Sequence, residues 1–291
     1  MKTIYSERKR AGSTVAVFAV LVVFVIALAV AWYIYQDRVN QQPQFKLKPE
    51  MLTLSPDQPD WIKADVLQAV FADQKLDEQY LTDRKLASQL RDAFLLHPCV
   101  AAVTRVAKRP DGVDIELEYR TPVAMVVVKL ENQSWLYPVD GDAVVLPPRE
   151  FSAEDVSNYL RITHDYDYVP PAGQIGDSWG DEVLTKVTQV AALIERAPWQ
   201  SMGLYSLRVT ENPETKAKVI YIIKKDTPGF RVLWGNLPGE ESEDELPAPD
   251  KLTRLVKFFN QNKTLVVSSE PMELDLRPLG RIEVVPLVQV E

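Results

Sequence analysis

From Ala11 to Gln36 no side chain is charged, and the core of this stretch, TVAVFAVLVVFVIALAVAWYIY, is apolar at nearly every position. Such a run exceeds the roughly 20 residues a helix needs to cross a bilayer, so the sequence predicts a transmembrane helix over 14–36. The Leu, Ile, Val and Phe residues between Val15 and Val30 favour insertion by roughly 4 to 7 kcal/mol, at about −0.3 to −0.6 kcal/mol each. Trp32, Tyr33 and Tyr35 sit at one end and Arg8, Lys9 and Arg10 at the other, and the positive-inside rule then keeps the N-terminus cytoplasmic. The expected localisation is the cytoplasmic (inner) membrane, single-pass, with the bulk of the chain exported. A cleaved signal peptide is the alternative, because Ala27-Leu28-Ala29 and Ala29-Val30-Ala31 both fit a small-x-small site. Its apolar core would usually span about 7 to 15 residues, and this one is longer.

Beyond this stretch the pattern changes. Residues 1–13 form a short tail, and 37–55 read as a polar, extended linker. A small domain over 56–130 is expected to place two helices on a small sheet. Its first helix is predicted over Lys63 to Phe71. Its second, TDRKLASQLRDAFLLH, sets Leu86, Leu90 and Phe94 on one face and stops at Pro98, since the residue before a proline avoids helical geometry. The segment VAAVTRVAK turns at Arg109-Pro110-Asp111-Gly112 into VDIELEYR. There Val113, Ile115, Leu117 and Tyr119 alternate with charged positions, as in a half-buried strand. PVAMVVVKL is nearly continuous in its apolar character and reads as a further strand of the same domain.

From 131 to 291 the strands are shorter and more numerous. SWLYPV and AVVLP flank Asp140-Gly141-Asp142, a hairpin signal. A helix around Glu182 to Arg196 and another from Lys251 carry apolar stripes; the second places Leu252, Leu255, Val256 and Phe259 together. Strands recur near Tyr205 to Thr210, Val219 to Lys224 and Phe230 to Trp234, and PMELDL and RIEVVPL come last. The acidic insert GEESEDELPAPD reads as a solvated loop. The fold class is α+β: one N-terminal membrane helix, a small α+β domain and a larger β-rich domain with flanking helices.

Composition fits a folded protein, with 46% hydrophobic and 25% charged residues and a net charge of −8. The first thirteen residues carry Lys2, Arg8, Lys9 and Arg10 against Glu7, so the remainder is more acidic still. It repels phosphate backbones, and no nucleic-acid binding is expected. Cys99 is the only cysteine, which excludes an internal disulfide and leaves zinc short of ligands. His97 precedes it by two residues, but His-Pro-Cys spans a break from helix to strand and does not steer the side chains together. Cys99 is read as a small apolar residue where the sheet begins. His164, Asp165 and Asp167 supply three metal-compatible ligands in four residues, or else an exposed polar loop before Pro170-Pro171. No Gly-x-Ser-x-Gly, phosphate-cradling loop or His-Glu-x-x-His is present. No catalytic residue, cofactor or metal ligand is assigned, and a non-enzymatic role is expected.

The end of the chain needs more than a core explanation. RIEVVPLVQV alternates weakly and carries Pro286, which suits an edge strand. An edge has unpaired N–H and C=O groups and accepts a strand from a partner.

The order of these elements resembles the bacterial cell-division family FtsQ, also called DivIB. His97-Pro98 followed by Val100, Arg109-Pro110, and Tyr119-Arg120-Thr121-Pro122-Val123-Ala124 are similar to the second half of a POTRA domain. Cys99 stands where tryptophan is common in that pattern. VDGDAVVLP is similar to the family's Val-Asp-x-x-Gly-Val-Val hairpin. FRVLWG, DKLTRLVKFF and ELDLRPLGRIEV resemble the later motifs, with Pro278 in place of an aromatic residue. The likeness runs from about Pro56 to Pro286. It implies a membrane-anchored, non-enzymatic scaffold whose small domain is POTRA-like. Its implied partners are other anchored division proteins of the FtsB and FtsL type, with the membrane engaged through Thr14 to Gln36. The implied partner-binding residues are Leu274, Asp275, Leu276, Arg277, Gly280, Arg281, Ile282, Glu283, Val284 and Val285. Two other readings stand beside it: a POTRA-bearing accessory of envelope protein assembly or secretion, and a membrane-anchored envelope enzyme.

Overall fold

The computed structural model of the chain describes residues 18–33, 35, 42–130, 133–165, 171, 173–212 and 215–287. Residues 18–33 form a helix, α1, with exposed side chains. Among the described residues no helix is long and apolar enough to cross a membrane. This overturns the expected transmembrane helix over 14–36 and the inner-membrane localisation that rested on it. Within the described residues the helical run is 18–33, shorter than the roughly 20 residues that a bilayer core requires. The remaining expected positions, 14–17, 34 and 36, lie outside the described residues, as does the tail over 1–13.

The rest is α+β with two sheets and divides into two compact units. One comprises the described residues of 1–55, 66–93 and 105–116; the other comprises those of 56–65, 94–104 and 117–291. In the first, β1 (Leu52–Ser55) runs parallel to β3 (Gly112–Tyr119), with Leu52 opposite Val113 and Leu54 opposite Ile115. β1 therefore arises within the stretch expected to be linker. Gly112 permits this approach, because a Cβ there would stand 2.3 Å from the Met51 carbonyl oxygen. In the three-stranded sheet β3 lies between β1 and β2 (Val100–Arg109), and of β2 and β3 residues 105–109 and 112–116 belong to this unit. Helix α2 (Val66–Asp73) starts three residues later than its pattern predicts, and α3 (Leu86–Leu95) follows the predicted stripe. Leu86, Leu90, Val66, Val70, Val113 and Ile115 are buried.

The second unit is built on an eight-stranded sheet in the order β11-β10-β9-β8-β7-β6-β4-β5. Its strands are β4 (Pro122–Leu130), β5 (Gln133–Asp140), β6 (Leu160–His164), β7 (Leu204–Glu211), β8 (Lys218–Lys224), β9 (Phe230–Asn236), β10 (Met272–Asp275) and β11 (Glu283–Pro286). β4 was expected in the small sheet. It pairs instead with β5 and β6 in the large one, where Val123, Ala124, Met125, Val126 and Val128 are all buried. A strand apolar at successive positions is stable only with both faces covered. The segment AVVLP returns along β5 through the single bridge between Val139 and Val145 rather than as a full hairpin strand.

Helices α4 (Glu182–Ile194), α5 (Trp199–Met202) and α6 (Ala248–Asn262) complete this unit. Asp181 caps α4 by accepting from the N–H groups of Val183 at 2.8 Å and Leu184 at 3.4 Å. The apolar faces of α4 and α6 join one core with the sheet. Strand register sets a row across that sheet: Val126, Ile162, Leu207, Ile222, Val232 and Leu274 lie opposite one another in turn. All six are buried.

Candidate partner-binding edge

The same row continues from Leu274 to Val284 on β11, but Val284 is 48% exposed. A core row thus ends uncovered at the margin of the sheet. Among the described residues β11 pairs with β10 alone, antiparallel, with Glu273 opposite Val285 and Asp275 opposite Glu283. All four of its residues are exposed.

Hydrogen bonding fixes which backbone groups face outward. The Leu287 N–H donates to the Pro271 carbonyl at 3.0 Å, while the Met272 and Leu276 N–H groups donate away from β11, to Gly229 at 2.8 Å and Leu233 at 3.1 Å. Backbone direction alternates along a strand, so Glu283 and Val285 turn towards β10. Ile282, Val284 and Pro286 turn outward. Pro286 has no N–H to offer, and an outward position at an edge is where proline costs a sheet nothing. Val284 presents both its N–H and its C=O.

The predicted partner-binding residues separate by this geometry. Leu274 and Leu276 are wholly buried and Asp275 is nearly so, so none of the three presents its side chain at the surface. Asp275 accepts from the Arg277 backbone N–H at 2.9 Å and from its guanidinium at 2.7 Å. This bonding raises the Arg277 pKa above its ordinary value. Ile282 packs against the core. Gly280, Arg281, Glu283, Val284 and Val285 are exposed.

Three side chains that sequence reasoning missed organise the approach to β11. Glu245, inside the acidic insert expected to be solvated, is buried; it accepts from Lys251 at 2.6 Å, from the Asn236 N–H at 2.8 Å and from the Asn236 side-chain amide at 2.8 Å. Next to it, the Leu246 N–H donates to the Arg277 carbonyl at 2.8 Å. Arg254 on α6 donates to the carbonyls of Pro278, Leu279 (2.9 Å) and Gly280 (3.3 Å). One signal was available: Lys251 lies four residues before Leu255, on the apolar stripe of α6.

The other candidate chemistry is placed differently. Cys99 is buried, and its backbone N–H donates to His97 Nδ1 at 3.3 Å. Burial, with Glu150 second, pushes the thiol up to about 12. The thiolate is the reactive form, so Cys99 is expected to resist a colorimetric disulfide reagent at pH 8 in the native protein and to react fully after denaturation. Rapid native labelling would contradict its burial. His164 ends β6, and Asp165 lies 4.0 Å from Arg208. Asp167 and Pro170 lie outside the described residues. Among the described residues no cluster of three or more His, Cys, Asp or Glu side chains is placed to hold a metal ion.

No protein-family profile matches the sequence, and no curated protein is significantly similar to it.

Proposed function

We propose that this chain is a non-enzymatic scaffold of the bacterial cell-division machinery, of the FtsQ/DivIB type. It recruits FtsB- and FtsL-like proteins by accepting a strand of a partner along the outer edge of β11. One observation carries the reading. The buried row that ends at Leu274 passes to an exposed Val284, whose N–H and C=O both point away from β10. An added strand would complete the backbone pairing and extend the core row by one apolar residue.

Val284→Pro tests this edge. The substitution removes the outward donor and leaves untouched the groups of Glu283 and Val285 that bond to β10. A hydrogen bond contributes about 1 kcal/mol and the ring also crowds an incoming strand. Capture of tagged FtsB- and FtsL-like proteins from the same cell by the full chain should therefore weaken at least about tenfold, ~1.4 kcal/mol. Unchanged capture by a variant with an unaltered circular-dichroism spectrum would remove the basis of the proposal.

A further inference from the structure

We propose that Arg254 is the positioning residue of the β11 edge, an inference that rests on the scaffold reading above. β11 is four residues long, exposed throughout and, among the described residues, bonded on one side only. A strand of this kind has little stability of its own, so its place depends on how the chain arrives at it.

That arrival is the connection from Asp275 to Glu283, which is held at two points. Near its start, the Leu246 N–H bonds to the Arg277 carbonyl, and Glu245 bridges to Pro278. Further on, one guanidinium reaches three successive carbonyls, those of Pro278, Leu279 and Gly280. Nothing stands within 4 Å of a Cβ placed on Gly280, so side-chain packing does not fix the turn there. Arg254 does so through the backbone. A planar fork with five donors can serve three carbonyls at once, which a lysine ammonium on a flexible stem does not reproduce. The helix that bears it is anchored in the core by Leu252 and Leu255, so the clamp transfers the rigidity of α6 to the strand that a partner would meet. A preorganised edge binds without the cost of first being ordered.

The test uses the full chain with Arg254→Ala and Arg254→Lys. Amide hydrogen exchange is read at Glu283 and Val285, whose N–H groups face β10. Capture of the FtsB- and FtsL-like proteins is measured in parallel. The Ala variant is expected to speed exchange at both residues about tenfold or more, through local opening, while exchange in β8 and β9 stays unchanged. Capture should fall with it, and Lys should give intermediate values for both. Unchanged exchange at Glu283 and Val285 in the Ala variant overturns the inference, whatever happens to capture. If exchange rises but neither Arg254→Ala nor Val284→Pro alters capture, Arg254 still positions β11, and it is the strand-addition reading that fails. Should Ala slow-exchange protection collapse across β8 and β9 as well, Arg254→Lys decides: a rise confined to β11 supports the inference, and a rise throughout the sheet refutes it.

Discussion

Lys251→Met is expected to lower the unfolding free energy of the protein by about 3 to 5 kcal/mol, the range for breaking a buried ion pair by removing one partner. Lys251 is 0% and Glu245 2% exposed at the side chain, with the ammonium 2.6 Å from the carboxylate. The ammonium also lies 5.7 Å from the centre of the Trp234 ring. Without Lys251 the Glu245 carboxylate keeps two donors, both from Asn236, and neither is charged. Its negative charge then stays in a water-poor site with only the Arg277 guanidinium nearby as a cation, and that group is already bonded to Asp275. Relaxation is restricted as well. Gly235, at φ +108, passes so close that a Cβ there would stand 2.0 Å from Glu245 Oε1 and 2.7 Å from the Arg277 side chain. Urea denaturation followed by far-ultraviolet circular dichroism gives the measurement. The midpoint should fall with little change in slope, since the same surface is exposed on unfolding. A loss below about 1 kcal/mol would mean that water reaches the pair, as at surface salt bridges. Natural domains are stable by only about 5 to 15 kcal/mol, so the predicted loss removes much of that margin.

The same network marks the limit of what the sequence discloses. Periodicity located the elements whose faces are simple. Leu86 and Leu90 on α3, and Val113, Ile115 and Leu117 on β3, are buried as their spacing predicts. The two strands that form the proposed edge were also legible, as was the proline that suits one of them to a margin. Three features were not. The apolar run of β4 predicts burial on both faces but not which sheet provides it, because strand pairing is decided by distant residues. Hydrophobic length alone predicted a membrane span, whereas the described helix covers only 18–33. Glu245, Lys251 and Arg254 are charged, and a charged residue is ordinarily exposed. Their roles follow from the chain segments that fold over them, and local sequence does not encode that.

Asp140→Ala is expected to cost about 3 to 5 kcal/mol as well, again because a largely buried pair loses one member. Asp140 Oδ2 accepts from Arg120 at 2.7 Å, and the two side chains are 7% and 18% exposed. Its Oδ1 accepts from the backbone N–H groups of Asp142 at 2.9 Å and Val144 at 2.8 Å. One carboxylate thus joins the end of β5 to the turn that follows and to Arg120, in the two-residue link between β3 and β4. The turn is not relaxed on its own account. Ala143 adopts φ +57, a left-handed conformation that costs a residue with a Cβ roughly 1 to 2 kcal/mol, and the Asp140 side chain helps to hold it there. Asp140→Asn should cost less than Asp140→Ala, because the remaining carbonyl oxygen can still accept from Asp142 and Val144 while the new amide faces Arg120 donor to donor. Arg120→Met alone strands the carboxylate but spares the turn. A double-mutant cycle between Arg120→Met and Asp140→Ala, read by urea denaturation, should then give a coupling of about 1 to 3 kcal/mol. Coupling near zero would place the cost of Asp140→Ala in the turn alone. Equal losses for Asn and Ala would place it in the ion pair alone.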